Sequence, residues 1–81
     1  MTKEEIMQAL NTIFAEVLKQ PGIQLQEDSS AQNIDGWDSM ANLSLLDQSE
    51  KTFNIHFKMR EIMKMKNVGD LCDTIYNKVN P

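Results

Sequence analysis

The sequence predicts an all-α protein, a bundle of three main helices plus one short helix with a long loop between helices one and two. Apolar residues recur at three- and four-residue steps near both ends of the chain. Between Gln20 and Asp38 the chain is instead rich in Gln, Ser, Asn, Asp and Gly and shows no sustained period. With 41% hydrophobic and 25% charged residues, three Gly and two Pro, the composition is that of an ordered globular fold rather than a disordered tail.

Thr2 followed by Glu5 is a capping-box pattern, in which each side chain satisfies a free backbone donor of the other residue. Ile6, Leu10, Ile13, Phe14, Val17 and Leu18 then form one apolar stripe until Pro21-Gly22 ends it, so helix one is expected over roughly residues 3 to 19. Ile23, Leu25, Ile34 and Trp37 are the isolated apolar residues of the following loop and are expected to pin it to the core. Loops of this length inside compact domains are usually functional or disordered, and the pinning residues favour function. Asp38 is suited to cap helix two, expected to run to about Thr52 with Met40, Leu43, Leu46 and Phe53 facing inward and Leu45 flanking them. Asn54 to Phe57 reads as a turn. A short third helix is expected over Met59 to Met65, with Met59, Ile62, Met63 and Met65 as its apolar content. Asn67 is the expected cap of the last helix, where Val68, Leu71, Cys72, Ile75 and Val79 recur at helical spacing. No internal repeat or low-complexity tract interrupts this order, and residues 1–81 read as a single domain.

An 81-residue chain buries too little apolar surface to enclose an elaborate active site, which favours a carrier or binding module over an enzyme. The formal charge of −4 argues against nucleic acid as a partner and for basic protein surfaces. Cys72 is the only cysteine, so neither an internal disulfide nor a cysteine metal cluster can form. The first ten residues lack the apolar core of a signal peptide, and every apolar run is shorter than a membrane span. The expected setting is cytoplasmic, away from membranes, and the expected state a monomer.

The stretch that carries chemistry is Gly36-Trp37-Asp38-Ser39-Met40, which sets a serine directly after a cap at the exposed start of an amphipathic helix. Helix N-termini present unpaired N–H groups and partial positive charge, so a phosphodiester on the Ser39 oxygen would be stabilised by about 0.3–1 kcal/mol. Asp38, being negative, offsets part of this. On spacing alone, Asp-Ser at a helix start is more often plain capping. The whole pattern, from the amphipathic first helix and polar loop through Asp-Ser-Met, Phe53 and the short third helix to Asn67-Val68-Gly69-Asp70-Leu71, resembles the acyl carrier protein family over nearly the full chain.

The resemblance implies that Ser39 receives 4′-phosphopantetheine from coenzyme A, and that Asp38 helps a phosphopantetheinyl transferase and its magnesium engage the serine. It implies docking of partner enzymes at Met40, Leu45 and Asp47, and an acyl pocket near Leu43, Leu46, Ile62 and Met65. No catalytic residue is expected, because the terminal thiol of the arm does the chemistry, and acyl-activating and acyl-transferring or condensing enzymes act in trans. Tethering raises the effective concentration of the cargo at each successive partner.

Three departures from the family stand out. Helix two holds only Asp47 and Glu50 as acidic residues, beside Ala41, Asn42, Ser44, Leu45, Gln48 and Lys51, which weakens electrostatic docking and favours a specialised biosynthetic pathway over general fatty-acid synthesis. Ser49 stands where the family usually has an apolar residue, so its hydroxyl needs a carbonyl in the preceding turn or a partly polar interior. The third helix is rich in methionine, which repacks around variable shapes.

Rival readings are an unmodified interaction bundle, a calcium loop and a serine hydrolase. Asn33, Asp35 and Gly36 fit the third, fifth and sixth positions of a calcium loop, but Ala31 and Asn42 fall at the first and twelfth, where principal ligands belong. A hydrolase on Ser39 and His56 lacks the Gly-x-Ser-x-Gly turn.

Overall fold

Thr2 and Glu5 close the capping box: Thr2 Oγ1 accepts from the Glu5 N–H at 3.1 Å and Glu5 Oε1 from the Thr2 N–H at 2.8 Å. The computed structural model describes Met1 to Pro81 and has four helices, α1 (Lys3–Leu18), α2 (Ser39–Phe53), α3 (Met59–Lys64) and α4 (Val68–Val79). Ile6, Leu10, Ile13 and Phe14 are the buried stripe of α1. They pack against Leu45, Leu46 and Phe53 of α2 and Val68, Leu71, Cys72 and Ile75 of α4, and Leu25 and Phe57 complete the core from the connections. α1 stops at Leu18 because Lys19 turns left-handed, its N–H donating to the Ala15 carbonyl.

α2 departs from its expected phase. Its buried residues are Leu45, Leu46, Ser49 and Phe53, whereas Met40 is 77% and Leu43 67% exposed. At about 100° per residue, Leu45, Ser49 and Phe53 share one side of the helix, and Met40, Leu43 and Asp47 share the opposite one. The polar Ser49 lies in the middle of the buried side, so a count of apolar residues rotates the inward stripe toward Met40 and Leu43. Ser49 is accommodated there because its hydroxyl donates to the Leu45 carbonyl at 2.8 Å.

α3 contains no fully buried residue. Ile62 is half-buried against the core, Met59 and Met63 point to solvent, and Met65 lies just beyond the helix in extended backbone, half-buried. The expected apolar content of this helix thus splits, and two of its four residues face water. Glu61 steadies the segment by accepting from the Lys58 N–H at 2.7 Å and pairing with Lys78 of α4 at 2.9 Å.

The α1–α2 loop is pinned as its composition suggests. Leu25 is buried, and Ile23, Ile34 and Trp37 pack half-buried against the core. Polar ties add to this: Asn11 Oδ1 of α1 accepts from the Leu25 N–H at 2.8 Å, and Gln20 Nε2 donates to the Asp35 carbonyl at 2.6 Å. The first turn of α4 finishes the attachment, with the Val68 N–H donating to the Ser29 carbonyl at 2.8 Å and the Gly69 N–H to the Glu27 carbonyl at 2.7 Å. These two donors lack partners inside their own helix, and the loop carbonyls satisfy them. A Cβ at Gly69 would stand 2.9 Å from the Glu27 carbonyl oxygen, so the approach requires glycine.

Two outcomes follow from these contacts. Gly69→Ala lowers the unfolding free energy by about 1 kcal/mol in urea titrations, because overpacking at a fixed carbonyl outweighs the gain in helix propensity. Glu5 is held below its ordinary value of 4.5, chiefly by the Thr2 backbone N–H, and Glu61 by the Lys58 backbone N–H and then Lys78. Carboxylates lowered on folding stabilise above their unfolded pKa and lose that contribution as pH falls through the folded value. The urea midpoint therefore declines below a pH of about 4.5, less steeply in Glu61→Gln than in the wild type.

Candidate functional site

Asp38 starts α2 as its cap, in extended backbone, with Oδ1 accepting from the Ala41 N–H at 2.8 Å. Its carbonyl accepts from the Asn42 N–H at 2.8 Å. Ser39 is the first residue of the helix and is exposed. Its hydroxyl takes part in no hydrogen bond of the chain, the neighbouring side-chain bonds being made by Asp38, Trp37 and Asn42. The N–H groups of Ser39 and Met40 likewise find no acceptor within the chain. A free hydroxyl and two free donors thus stand together at the positive end of α2, where an anion is favoured.

Trp37 sets the angle at which the loop enters the helix. Its ring meets Phe14 edge-to-face with centroids 5.0 Å apart, and its indole N–H donates to Asn42 Oδ1 at 3.0 Å. One end of the side chain is thereby fixed to α1 and the other to α2, an arrangement suited to an amphipathic ring. Trp37 is both an anchor and a wall, because it also borders a cleft of about 320 Å³ beside Ser39. Ala31, Asp38, Asn42, Met65 and Lys66 complete that cleft.

The other expected site residues divide. Met40 and Asp47 lie on the exposed side of α2, available to a partner. Leu45, expected to dock partners, is only 1% exposed and belongs to the core. Leu43, expected in an acyl pocket, faces solvent on the same side as Met40. Of the four residues assigned to that pocket, Leu46 fills the core, Ile62 packs against it, and Met65 alone borders a cleft of the chain. Ala31, Asn42 and Lys66 were not among the expected site residues. Asn42 could have been found, since it precedes Leu45 by three positions and Ser49 by seven and so lies on their side of the helix.

The remaining reactive side chains lie elsewhere. Cys72 is buried with its Sγ 3.8 Å from the Lys3 carbonyl, and burial raises its thiol pKa, which disfavours the thiolate. His56 is exposed, with Nδ1 3.1 Å from Glu50 Oε2. It follows the far end of α2, and 15 residues at ~1.5 Å each put about 22 Å between the helix ends, so Ser39 and His56 form no catalytic pair. Of the side chains suggested as calcium ligands, Asn33 Oδ1 is engaged with the Ser30 N–H at 2.9 Å, and Asp35 is exposed and part of no cluster of acidic side chains that could hold a metal ion.

The group that family resemblance implies, a phosphopantetheine, needs a reachable hydroxyl, room for a phosphate and space for a flexible chain. The exposed Ser39 hydroxyl, the free N–H groups beside it and the adjoining cleft meet these needs.

Comparison with known proteins identifies the family. A family model described as a phosphopantetheine attachment site matches residues 8–75. An acyl carrier protein of Cyanidium caldarium is 34% identical over 80 residues, covering 99% of this chain and 93% of that protein. The solution NMR structure of holo acyl carrier protein from Geobacter metallireducens is similar with a TM-score of 0.86 and 38% identity, over 91% of this chain and 85% of that one. A helical bundle with a free serine hydroxyl at the start of its second helix, matched over this length by all three comparisons, belongs to the acyl carrier protein family, whose members are carriers rather than enzymes and hold phosphopantetheine covalently.

Proposed function

We propose that Ser39 is the residue that carries the 4′-phosphopantetheine arm, and that the chain presents acyl thioesters to the enzymes of a specialised pathway. The observation that carries the first part is the exposed, unbonded Ser39 hydroxyl at the N-terminus of α2. In the transfer, the bond from Ser39 Oγ to phosphorus forms as the pyrophosphate bond of coenzyme A breaks. The serine proton passes to the transferase and the adenosine bisphosphate half leaves. Asp38 uses one carboxylate oxygen as the cap and keeps the other for the transferase's magnesium. When bound, the arm supplies a thiol on which acyl groups travel; the chain's own residues orient it and keep it at the surface.

The second part rests on the charge state of α2. Both of its carboxylates are engaged, Asp47 with Lys51 at 3.1 Å and Glu50 with His56 and the Phe57 N–H at 3.1 and 2.8 Å. What the exposed side offers instead is Met40 and Leu43. Leu43 takes the docking place first assigned to Leu45. A surface with apolar anchors and only two carboxylates, both hydrogen-bonded or paired within the chain, suits dedicated partners better than enzymes that recognise an acidic helix.

Incubated with coenzyme A, magnesium and a broad-specificity phosphopantetheinyl transferase, the wild type gains the mass of one phosphopantetheine and Ser39→Ala gains none. An unchanged wild-type mass with several transferases contradicts the assignment. Asp38→Ala loses about 1 kcal/mol of stability with the cap, whereas Asp38→Asn stays within a few tenths and still slows modification, which separates capping from engagement of the metal. Met40→Ser lowers kcat/KM for modification about tenfold, the loss of a partly buried methionine side chain, while Asp47→Asn changes it less than about twofold.

A further inference from the structure

The cleft beside Ser39 contains a charge that the attachment chemistry leaves unused. Lys66 borders it together with Ser39 and Asp38. Of the chain's cations, Lys3, Lys51 and Lys78 are committed to Asp73, Asp47 and Glu61. Lys19, Lys58, Arg60, Lys64 and Lys66 have no ion-pair partner, and among these Lys66 alone lines the cleft at Ser39.

Its backbone is held. The Lys66 N–H donates to Asp70 Oδ2 at 2.9 Å, and the residues that follow are fastened to the α1–α2 loop through Val68 to Ser29 and Gly69 to Glu27. The ammonium is therefore carried on a fixed base while the side chain is free to swing. Across the cleft, Asn42 Oδ1 accepts from the Trp37 indole N–H, and the Asn42 side-chain N–H groups have no acceptor in the chain. Trp37 and Met65 supply the apolar walls.

We propose that Lys66 is the counter-charge of the phosphodiester on Ser39, and that the cleft bounded by Ala31, Trp37, Asn42 and Met65 is where the near part of the arm rests between partners. The proposal rests on the attachment at Ser39 proposed above. A phosphodiester next to Asp38 places two negative charges at one helix end, and Lys66 is the cation placed to offset the second. Beyond the phosphate the arm has a branched dimethyl carbon and then amides. Trp37 and Met65 would offer apolar contact to the dimethyl group, and Asn42 Nδ2 would be free to donate to an amide carbonyl of the arm. The cleft is open to solvent, so the contact is reversible and a partner enzyme can draw the arm out.

The test uses the holo form of the full chain, loaded with isotope-labelled pantetheine, as wild type, Lys66→Met and Lys66→Arg. In the wild type, NMR cross-peaks are expected from the arm's methyl groups to the Trp37 indole and the Met65 methyl. Lys66→Met shifts the phosphorus resonance and weakens those cross-peaks about two- to fivefold, the range one exposed ion pair supports, while Lys66→Arg retains them. Added salt weakens them in the wild type but not in Lys66→Met. Absence of arm contacts in the wild-type holo protein, or cross-peaks and phosphorus shift unchanged in Lys66→Met, overturns the proposal. Intact mass distinguishes the two levels: an arm present without contacts refutes only the role of Lys66 and the cleft, whereas an arm that never joins Ser39 refutes both readings.

Discussion

Two backbone hydrogen bonds that begin α4 fasten the middle of the loop between α1 and α2, whose apolar residues Leu25, Ile34 and Trp37 pack on the core to either side. The N–H groups of Val68 and Gly69 need acceptors outside their own helix, and the loop carbonyls of Ser29 and Glu27 need donors. Joining them satisfies both and places the loop between α1 and α4. The site is assembled around that placement together with the Trp37 and Asp38 contacts. Ala31 and Lys66 come to the same cleft, Trp37 is directed onto Phe14, and Ser39 opens α2 at a fixed distance from the core.

This architecture suits a carrier better than an enzyme. Side chains that could perform acid, base or nucleophilic chemistry are scattered or buried, and the open Ser39 hydroxyl stands at a helix end that favours an anion. A carrier has to hold its cargo firmly at one atom and let the remainder move. The capped start of α2 and the Trp37 anchor provide the first, and a cleft open to solvent permits the second. On α2, intrahelical and local pairing of Asp47 and Glu50 leaves Met40 and Leu43 as the features a partner meets first.

The helices and their caps were legible in the sequence because they rest on local rules. Thr2 and Glu5, Asp38 and Asn67 each made the bond that its position implies, and the bounds of α1 and α2 fell within a residue of those read from the pattern. The phase of α2 was not legible by counting apolar residues, since Ser49 is buried by bonding its own helix while Met40 and Leu43 stay in water. Leu45 was misplaced for the same reason. Asn42 and Lys66 escaped notice because their importance is tertiary, arising from the Trp37 indole in one case and the α4 attachment in the other. The serine itself was marked by its motif, but only full-length organisation distinguished it from an ordinary residue after a cap.

Native-state hydrogen exchange at the Val68 and Gly69 amides bears on the constraint that organises the site. If these two bonds hold the loop, both amides exchange with protection comparable to that of the α1 core around Phe14, although they occupy a helix's first turn, where exchange is ordinarily fast. Exchange at the rate of a frayed helix end would show that the loop is not held there, and that the position of Ser39 has another origin.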